Sequence, residues 1–263
     1  MRANTIRQTI HSGQPVINGW LAMASSYSAE ILGHAGFDSI TVDLQHGMIG
    51  IDAALPMFQA LSATPTIPLA RVPWNEPSQI MRLLDSGAYG IICPMISTVA
   101  DAESFVMSCR YPPRGNRSFG PARGLLYGGS DYYPHADKEI LAIGMIETVQ
   151  GLDNLDQILA VEGLDGVYVG PNDLALALGC VPKSESEEKV VVDAVAHICQ
   201  RTRAANKIAG IFCSGGEAAA RRIQEGFQMV TPGNDSALLA NAARAAIATA
   251  RRSGSPAASK SGY

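Results

Sequence analysis

Eight apolar runs of strand length recur along the chain, each followed by a longer stretch of helical periodicity, and this alternation narrows the possible folds more than any other feature. The runs occupy residues 16–23, 39–43, 67–72, 90–94, 141–147, 166–169, 208–212 and 227–231. Helical patterns occupy 28–35, 53–61, 77–85, 98–110, 152–161, 189–205, 216–225 and 236–251. Strands separated by helices are joined by crossovers, so the sheet is parallel and covered on its faces. Eight such units predict a single-domain α/β fold, a closed (β/α)8 TIM barrel. Gly36, Gly87 and Gly226 stand where helices must stop ahead of strands two, four and eight. An open doubly wound sheet would carry a Gly-rich phosphate turn after its first strand, and neither GxGxxG nor GxxxxGK[ST] occurs. Pro65 and Pro68 flank the third run, which places the start of that strand late, near Ile67.

The barrel is expected to span residues 1–252, with a flexible Ser/Gly/Pro/Ala-rich tail at 253–263. Residues 111–138, rich in Gly, Pro, Arg and Tyr, read as a long loop outside the alternation. The 263 residues are 47% hydrophobic and carry a formal net charge of −4, which argues against nucleic acid as a main partner. No stretch approaches the ~18–20 apolar residues of a membrane span. The N-terminal segment lacks the apolar region of a secretory signal, so a cytoplasmic protein is expected. Five scattered cysteines without a CxxC pair fit reduced, buried thiols rather than a disulfide framework or a thiolate zinc site. Only 17% of residues are charged, below the ~25% usual for soluble domains, which suggests that other subunits cover part of the surface.

Reactive groups of such a barrel collect at the C-terminal ends of its strands. There the sequence places Asp43 and His46 after strand two, Arg71 at strand three, Glu147 at strand five, and Gly170-Pro171-Asn172-Asp173 at strand six. Glu147 and Asp173 end neighbouring strands; without a cation their charges would repel, whereas a divalent ion would neutralise both. Asp173 could instead cap the helix that follows, a role open to Asn172 as well. Exposed amides at that helix start could hold a carboxylate. Arg71 suits a fork contact to a developing oxyanion or a salt bridge at the rim. His46 is the natural general base, oriented by Asp43 or Asp85.

At these residues the chain resembles the HpcH/HpaI family of aldolases, class II enzymes acting on pyruvate-derived 2-oxo acids. The landmarks are Gly19-Trp20, Ala35-Gly36-Phe37-Asp38, Asp43-Leu44-Gln45-His46-Gly47, Ala70-Arg71-Val72, Leu83-Leu84-Asp85-Ser86-Gly87-Ala88, Arg110-Tyr111-Pro112-Pro113-Arg114-Gly115, Ile146-Glu147-Thr148 and Gly170-Pro171-Asn172-Asp173-Leu174. The resemblance runs over nearly the whole chain. It implies that Glu147 and Asp173 bind a divalent ion (Mg²⁺, Mn²⁺ or Co²⁺) and that Arg71 contacts the oxygen that becomes the enolate. It also makes His46 the base, paired with Asp85 and possibly Asp43. The amides after Gly170 would hold the pyruvate carboxylate, and Trp20 and the Phe212–Ser214 turn would flank the second substrate; Arg123, in a loop that reads as solvated charge or as a lid or subunit contact, is a further substrate-binding candidate. A homohexamer, a trimer of dimers with exchanged C-terminal helices, is implied too. Two positions depart from the pattern: Met145 where many relatives carry Gln, and Gln45 where Glu is common.

The reaction so implied is reversible cleavage of a 4-hydroxy-2-oxo acid to pyruvate and an aldehyde. A Schiff-base aldolase needs a lysine inside the barrel, and none of Lys138, Lys183, Lys189, Lys207 and Lys260 falls within a strand, although Lys207 borders strand seven. A CoA-linked citrate- or malyl-type lyase would need a basic site for nucleotide phosphates, for which Arg114, Arg117 and Arg123 are the candidates. A barrel that binds a 2-oxo acid without turnover is the non-enzymatic alternative.

Overall fold

The computed structural model describes residues 1–253; apart from Ser253, the tail expected at 253–263 lies outside them. The strands are β1 (Val16–Leu21), β2 (Ser39–Asp43), β3 (Ile67–Arg71), β4 (Gly90–Cys93), β5 (Leu141–Ile146), β6 (Gly166–Val169), β7 (Ile208–Phe212) and β8 (Met229–Thr231). All neighbours pair in parallel in chain order, and β1 closes onto β8. The helices are α1 (Thr5–His11), α2 (Ser26–Gly33), α3 (Ile51–Leu61), α4 (Pro77–Asp85), α5 (Val99–Cys109), α6 (Ala122–Gly128), α7 (Tyr132–Glu139), α8 (Val149–Asp153), α9 (Leu155–Leu159), α10 (Pro171–Ala177), α11 (Lys189–Ala204), α12 (Gly216–Gln224) and α13 (Asp235–Ser253). The eightfold alternation is thus a closed (β/α)8 barrel.

Because side chains alternate along a strand, each strand sends every second residue into the barrel. Val16, Trp20, Ile67, Leu69, Ile92, Leu141, Ile143, Met145, Tyr168, Ile208 and Met229 form one buried cluster there, closed from below by Ile6 of α1. A polar layer crosses this interior. Asn18 donates to Thr41 and Thr231 and accepts from Ser39, while the Tyr168 hydroxyl donates to Thr231 over 2.6 Å. Gly210 makes room for the Tyr168 ring, since a Cβ at that position would stand 2.6 Å from it. The outer faces of the strands join the helices in a second and larger apolar cluster.

Where sequence and structure differ, the causes are local. Pro68 lies inside β3, but its carbonyl faces Tyr89, just ahead of β4. Its missing N–H therefore falls below the start of the β3–β4 ladder, and no bond is forfeited. The segment 152–161 divides at Asn154, which ends α8, starts α9 and donates its side chain to the Ser97 carbonyl. Residues 111–138 hold α6 and α7 rather than a bare loop. Arg117, 1% exposed, pins them: it donates to Asp85 at 2.6 Å and to the Tyr132 hydroxyl, and lies 4.5 Å from the centre of the Tyr111 ring. The five cysteines are unpaired, and no helix among the described residues is long and apolar enough to cross a membrane.

The helix expected at 236–251 is α13. From Ser236 to Arg251 its side chains are exposed, apart from half-buried Ala240, and they include Leu238, Leu239 and Ile247.

Truncating Arg117 to Ala removes a buried cation from between two rings and leaves Asp85 without its partner. The expected cost is about 3 kcal/mol, read as a lowered midpoint in urea denaturation; an unchanged midpoint would show that this contact does not hold the 111–138 segment.

Candidate active site

The mouth at the C-terminal ends of the strands holds a cavity of about 230 Å³ lined by residues of β1, β2, β3, β5, β6 and β7 and of the segments that follow β1, β2, β6 and β8. Its side chains continue the inward phase of their strands. Asp43 follows Ser39 and Thr41, Arg71 follows Ile67 and Leu69, Glu147 follows Ile143 and Met145, and Phe212 follows Ile208 and Gly210.

At the centre, Arg71 grips Asp43 in a two-pronged fork, Nε to Oδ1 at 2.8 Å and Nη2 to Oδ2 at 2.6 Å. The Trp20 indole donates to Oδ2 at 3.1 Å, and its ring lies 4.9 Å beneath the guanidinium carbon. Burial works to raise the Asp43 pKa, but the hydrogen bonds and charge of Arg71, helped by Trp20 and the Gln45 amide, hold it below the usual carboxylate range. The fork uses the Nε/Nη2 edge of the guanidinium and leaves Nη1 without a partner among the described residues. Tyr168 and Phe212 pack against Trp20 with ring centres 5.7 and 5.6 Å away, giving the cavity an aromatic wall.

Glu147 lies just beyond β5 and is 3% exposed. Its Oε1 accepts the Met95 amide at 2.8 Å. Met95 holds a left-handed backbone, φ 58°, a costly conformation for a residue with a side chain. Oε2 faces Gly170, where a Cβ would stand 2.3 Å from it; only glycine leaves space for this carboxylate. Burial pushes Glu147 up to about 7 and the negative charge of Asp173 adds to the shift, with the Met95 amide and Arg71 opposing. Asp173 is the third residue of α10, exposed and without a side-chain cap bond; Gly170 takes the N-cap position. The alternative that Asp173 caps this helix is therefore set aside. A buried carboxylate with one oxygen free of hydrogen bonds among the described residues, and a second carboxylate near enough to raise its pKa, suit a hard divalent cation. No group of three or more His, Cys, Asp or Glu gathers among the described residues, so these two would be the protein's ligands, with other positions left to water and substrate oxygens.

Of the remaining candidates, His46 is exposed and lines the cavity, and its main-chain N–H, not its ring, meets Asp43 at 3.3 Å. Pro171 and Asn172 line the cavity at the start of α10. Ser214 does not line it: its amide and hydroxyl face Glu185 at 3.4 Å. Asp85 and Arg123 are also absent from this mouth. Helix α4 runs back from the mouth, so its last residue, Asp85, reaches the opposite end of the barrel and pairs with Arg117. Arg123 donates to the Ser86 and Phe58 carbonyls and to the Ser62 hydroxyl in the same region. Within one chain, Asp85 does not orient His46 and Arg123 does not meet a substrate in this cavity. Lys207 points away too, donating to the Val161 and Leu164 carbonyls ahead of β7. Sequence reasoning missed Tyr168, Ala22 and Asn234 as lining residues. Tyr168 was recoverable from its place two residues before Gly170, on the same strand phase.

Two outcomes follow. Gly170→Ala is expected to displace the Glu147 carboxylate and lower kcat by about 100-fold or more while the barrel stays folded, since a misplacement near 1 Å costs that much; wild-type turnover would show that the carboxylate has room elsewhere. In metal-free protein, Glu147 contributes stability that is complete below pH 4.5, its ordinary pKa, and is lost as pH rises to about 7, where the folded group ionises. The loss is at most about 3 kcal/mol, and denaturation midpoints of Glu147→Gln should fall less over that window than those of wild type.

Comparison with known proteins accords with this architecture. The model of the HpcH/HpaI aldolase/citrate lyase family matches residues 17–242. The hydroxypyruvate/pyruvate aldolase of Rhizorhabdus wittichii is 44% identical over 248 residues, 94% of this chain and 99% of that protein. A 4-hydroxy-2-oxo-heptane-1,7-dioate aldolase of Salmonella paratyphi C is 36% identical, covering 93% of this chain and 94% of its own. Among solved structures, an HpcH/HpaI aldolase/citrate lyase family protein from Burkholderia cenocepacia superposes with a TM-score of 0.89 at 30% identity, covering 95% of this chain and all of that one. With relatives of this name matched nearly end to end, and with its polar side chains gathered at the barrel mouth, the chain belongs to the HpcH/HpaI aldolase/citrate lyase family and is a carbon–carbon lyase of the aldolase type.

Proposed function

We propose that this chain is a divalent-metal-dependent aldolase that reversibly cleaves a 4-hydroxy-2-oxo acid into pyruvate, or a close 2-oxo acid, and an aldehyde. The observation that carries this reading is one cavity lined by Asp173 and by Arg71, whose Nη1 is uncommitted among the described residues, with the buried Glu147 set just behind Gly170 of the lining and raised in pKa by burial and by the charge of Asp173. Mg²⁺, Mn²⁺ or Co²⁺ held by Glu147 and Asp173 would supply Lewis-acid stabilisation to the 2-oxo group.

The chain's own groups do the rest. His46 accepts the proton of the 4-hydroxyl as the bond between carbons 3 and 4 breaks, and the bonding pair moves towards the 2-oxo oxygen. Arg71 donates through Nη1 to that oxygen as its negative charge develops, and Asp43 holds the guanidinium in place so that little reorganisation is needed. The Asn172 and Asp173 amides at the start of α10 are free of intrahelical acceptors and offer donors for the carboxylate of the 2-oxo acid. The proton on His46 then returns to carbon 3 to give pyruvate.

The resemblance and the names of the relatives, aldolases at 36–44% identity, support this reading over a CoA-linked lyase. Arg117 and Arg123, which would have served nucleotide phosphates, are committed to internal contacts. We also propose a homohexamer, a trimer of dimers that covers α13; the apolar side chains it exposes support burial against other copies. Five unpaired cysteines suit the reducing cytoplasm.

The test is pyruvate release from 4-hydroxy-2-oxoheptanedioate by chelator-stripped protein, with and without Mg²⁺ or Mn²⁺. Release should require the metal and fall by at least about 100-fold in His46→Ala and in Glu147→Gln. Metal-independent release trapped by borohydride would overturn the assignment in favour of a Schiff base.

A further inference from the structure

The cavity wall formed by the ends of β7, β8 and β1 is built from Phe212, Trp20, Ala22 and Asn234. Phe212 and Ala22 present carbon, and the one N–H of Trp20 is committed to Asp43. Among the described residues Asn234 is therefore the only lining side chain on this wall with polar capacity to spare. It stands in the β8–α13 loop, where its Oδ1 accepts the Ala237 amide at 2.9 Å and the Ser236 hydroxyl at 3.0 Å. The first of these donors is main chain and has no choice of role, so it fixes which way the amide is turned. A flipped side chain would set its NH₂ against a backbone N–H. Among the described residues Nδ2 is left without a partner, a neutral donor on a wall whose other side chains offer no free polar group, an arrangement by which a pocket orients a ligand through one well-placed polar group.

We propose that Asn234 is a specificity-determining residue that reads an acceptor oxygen on the aldehyde partner, and that the preferred aldehydes carry a hydroxyl group. The inference rests on the aldolase reading above, in which the 2-oxo acid occupies the Glu147, Asp173 and Arg71 side of the cavity. The second substrate then falls against the β7–β8–β1 wall. A neutral amide matches a hydroxyl better than a carboxylate. Among the described lining residues the cavity's cation is Arg71, whose fork and remaining edge are already assigned, so a carboxylated aldehyde would lack a charged partner on this wall.

The experiment measures kcat/KM for joining pyruvate to glycolaldehyde, to acetaldehyde and to succinic semialdehyde, in wild type, Asn234→Ser and Asn234→Asp. Serine and aspartate both cap helices well, so the α13 start survives and thermal midpoints should stay within about 3 °C. Wild type should prefer glycolaldehyde. In both variants its kcat/KM should fall about tenfold, the worth of one neutral hydrogen bond, while acetaldehyde changes by less than about twofold. An equal fall for glycolaldehyde and acetaldehyde, or a wild-type preference for succinic semialdehyde that the variants leave in place, would reduce Asn234 to a helix cap and overturn the proposal while the aldolase reading stands. A wild-type protein that joins pyruvate to none of the three would overturn both.

Discussion

Period two is the constraint on which this molecule depends. In a closed barrel each strand has one inward phase, and the pairing register decides which residues occupy it. Asp43 opposes Arg71 in the β2–β3 ladder, so the fork at the mouth is a direct product of register. The same phase that sends Leu69 and Met145 inward sends Arg71 into the cavity and Glu147 to the edge of it behind Gly170, one step further along. A one-residue slip in any of these strands would exchange reactive groups for core side chains. Core and site are thus specified by one pattern, and the packing of Ile67, Leu141 and Met229 below keeps the polar groups above in place.

The fork in turn decides the electrostatics of the mouth. A buried carboxylate and a buried guanidinium are each costly to remove from water, and their mutual contact, supplemented by the Trp20 indole and two backbone amides, offsets that cost. Asp43 therefore stays charged and Arg71 is fixed in direction. Glu147 has no such partner. Its single amide bond leaves it to bear desolvation and the field of Asp173, which is why two carboxylates at one barrel mouth carry pKa shifts of opposite sign. The difference lies in their neighbours rather than in their depth.

Much of this was legible in the sequence, because strand phase and strand ends are local properties. The ranges of β2, β6 and β7 and the convergence of His46, Arg71, Glu147 and Asp173 follow from alternation and position alone. Helices α6 and α7 were not legible. Their stability comes from Arg117 set between Tyr111 and Tyr132, a long-range contact in a segment whose glycines and prolines mimic a loop. Asp85 lies away from the mouth of its own chain for a related reason: a place in a motif says nothing about which end of a helix returns to the site. Asn234 was hidden behind its own capping bonds, since a sequence that shows a good helix start does not show which side of the amide is left over.

The left-handed turn at Met95 has one further consequence. The amide that meets Glu147 comes from a backbone that would relax elsewhere if the surrounding β4 end allowed it. The conformational energy held there during folding means the carboxylate does not have to search for its orientation when a ligand arrives. A glycine would adopt the same turn more easily, yet it would also leave it more easily. The side chain that makes the turn uncomfortable also limits its freedom, so at this position the chain gives up some stability in exchange for a carboxylate that is aimed in advance.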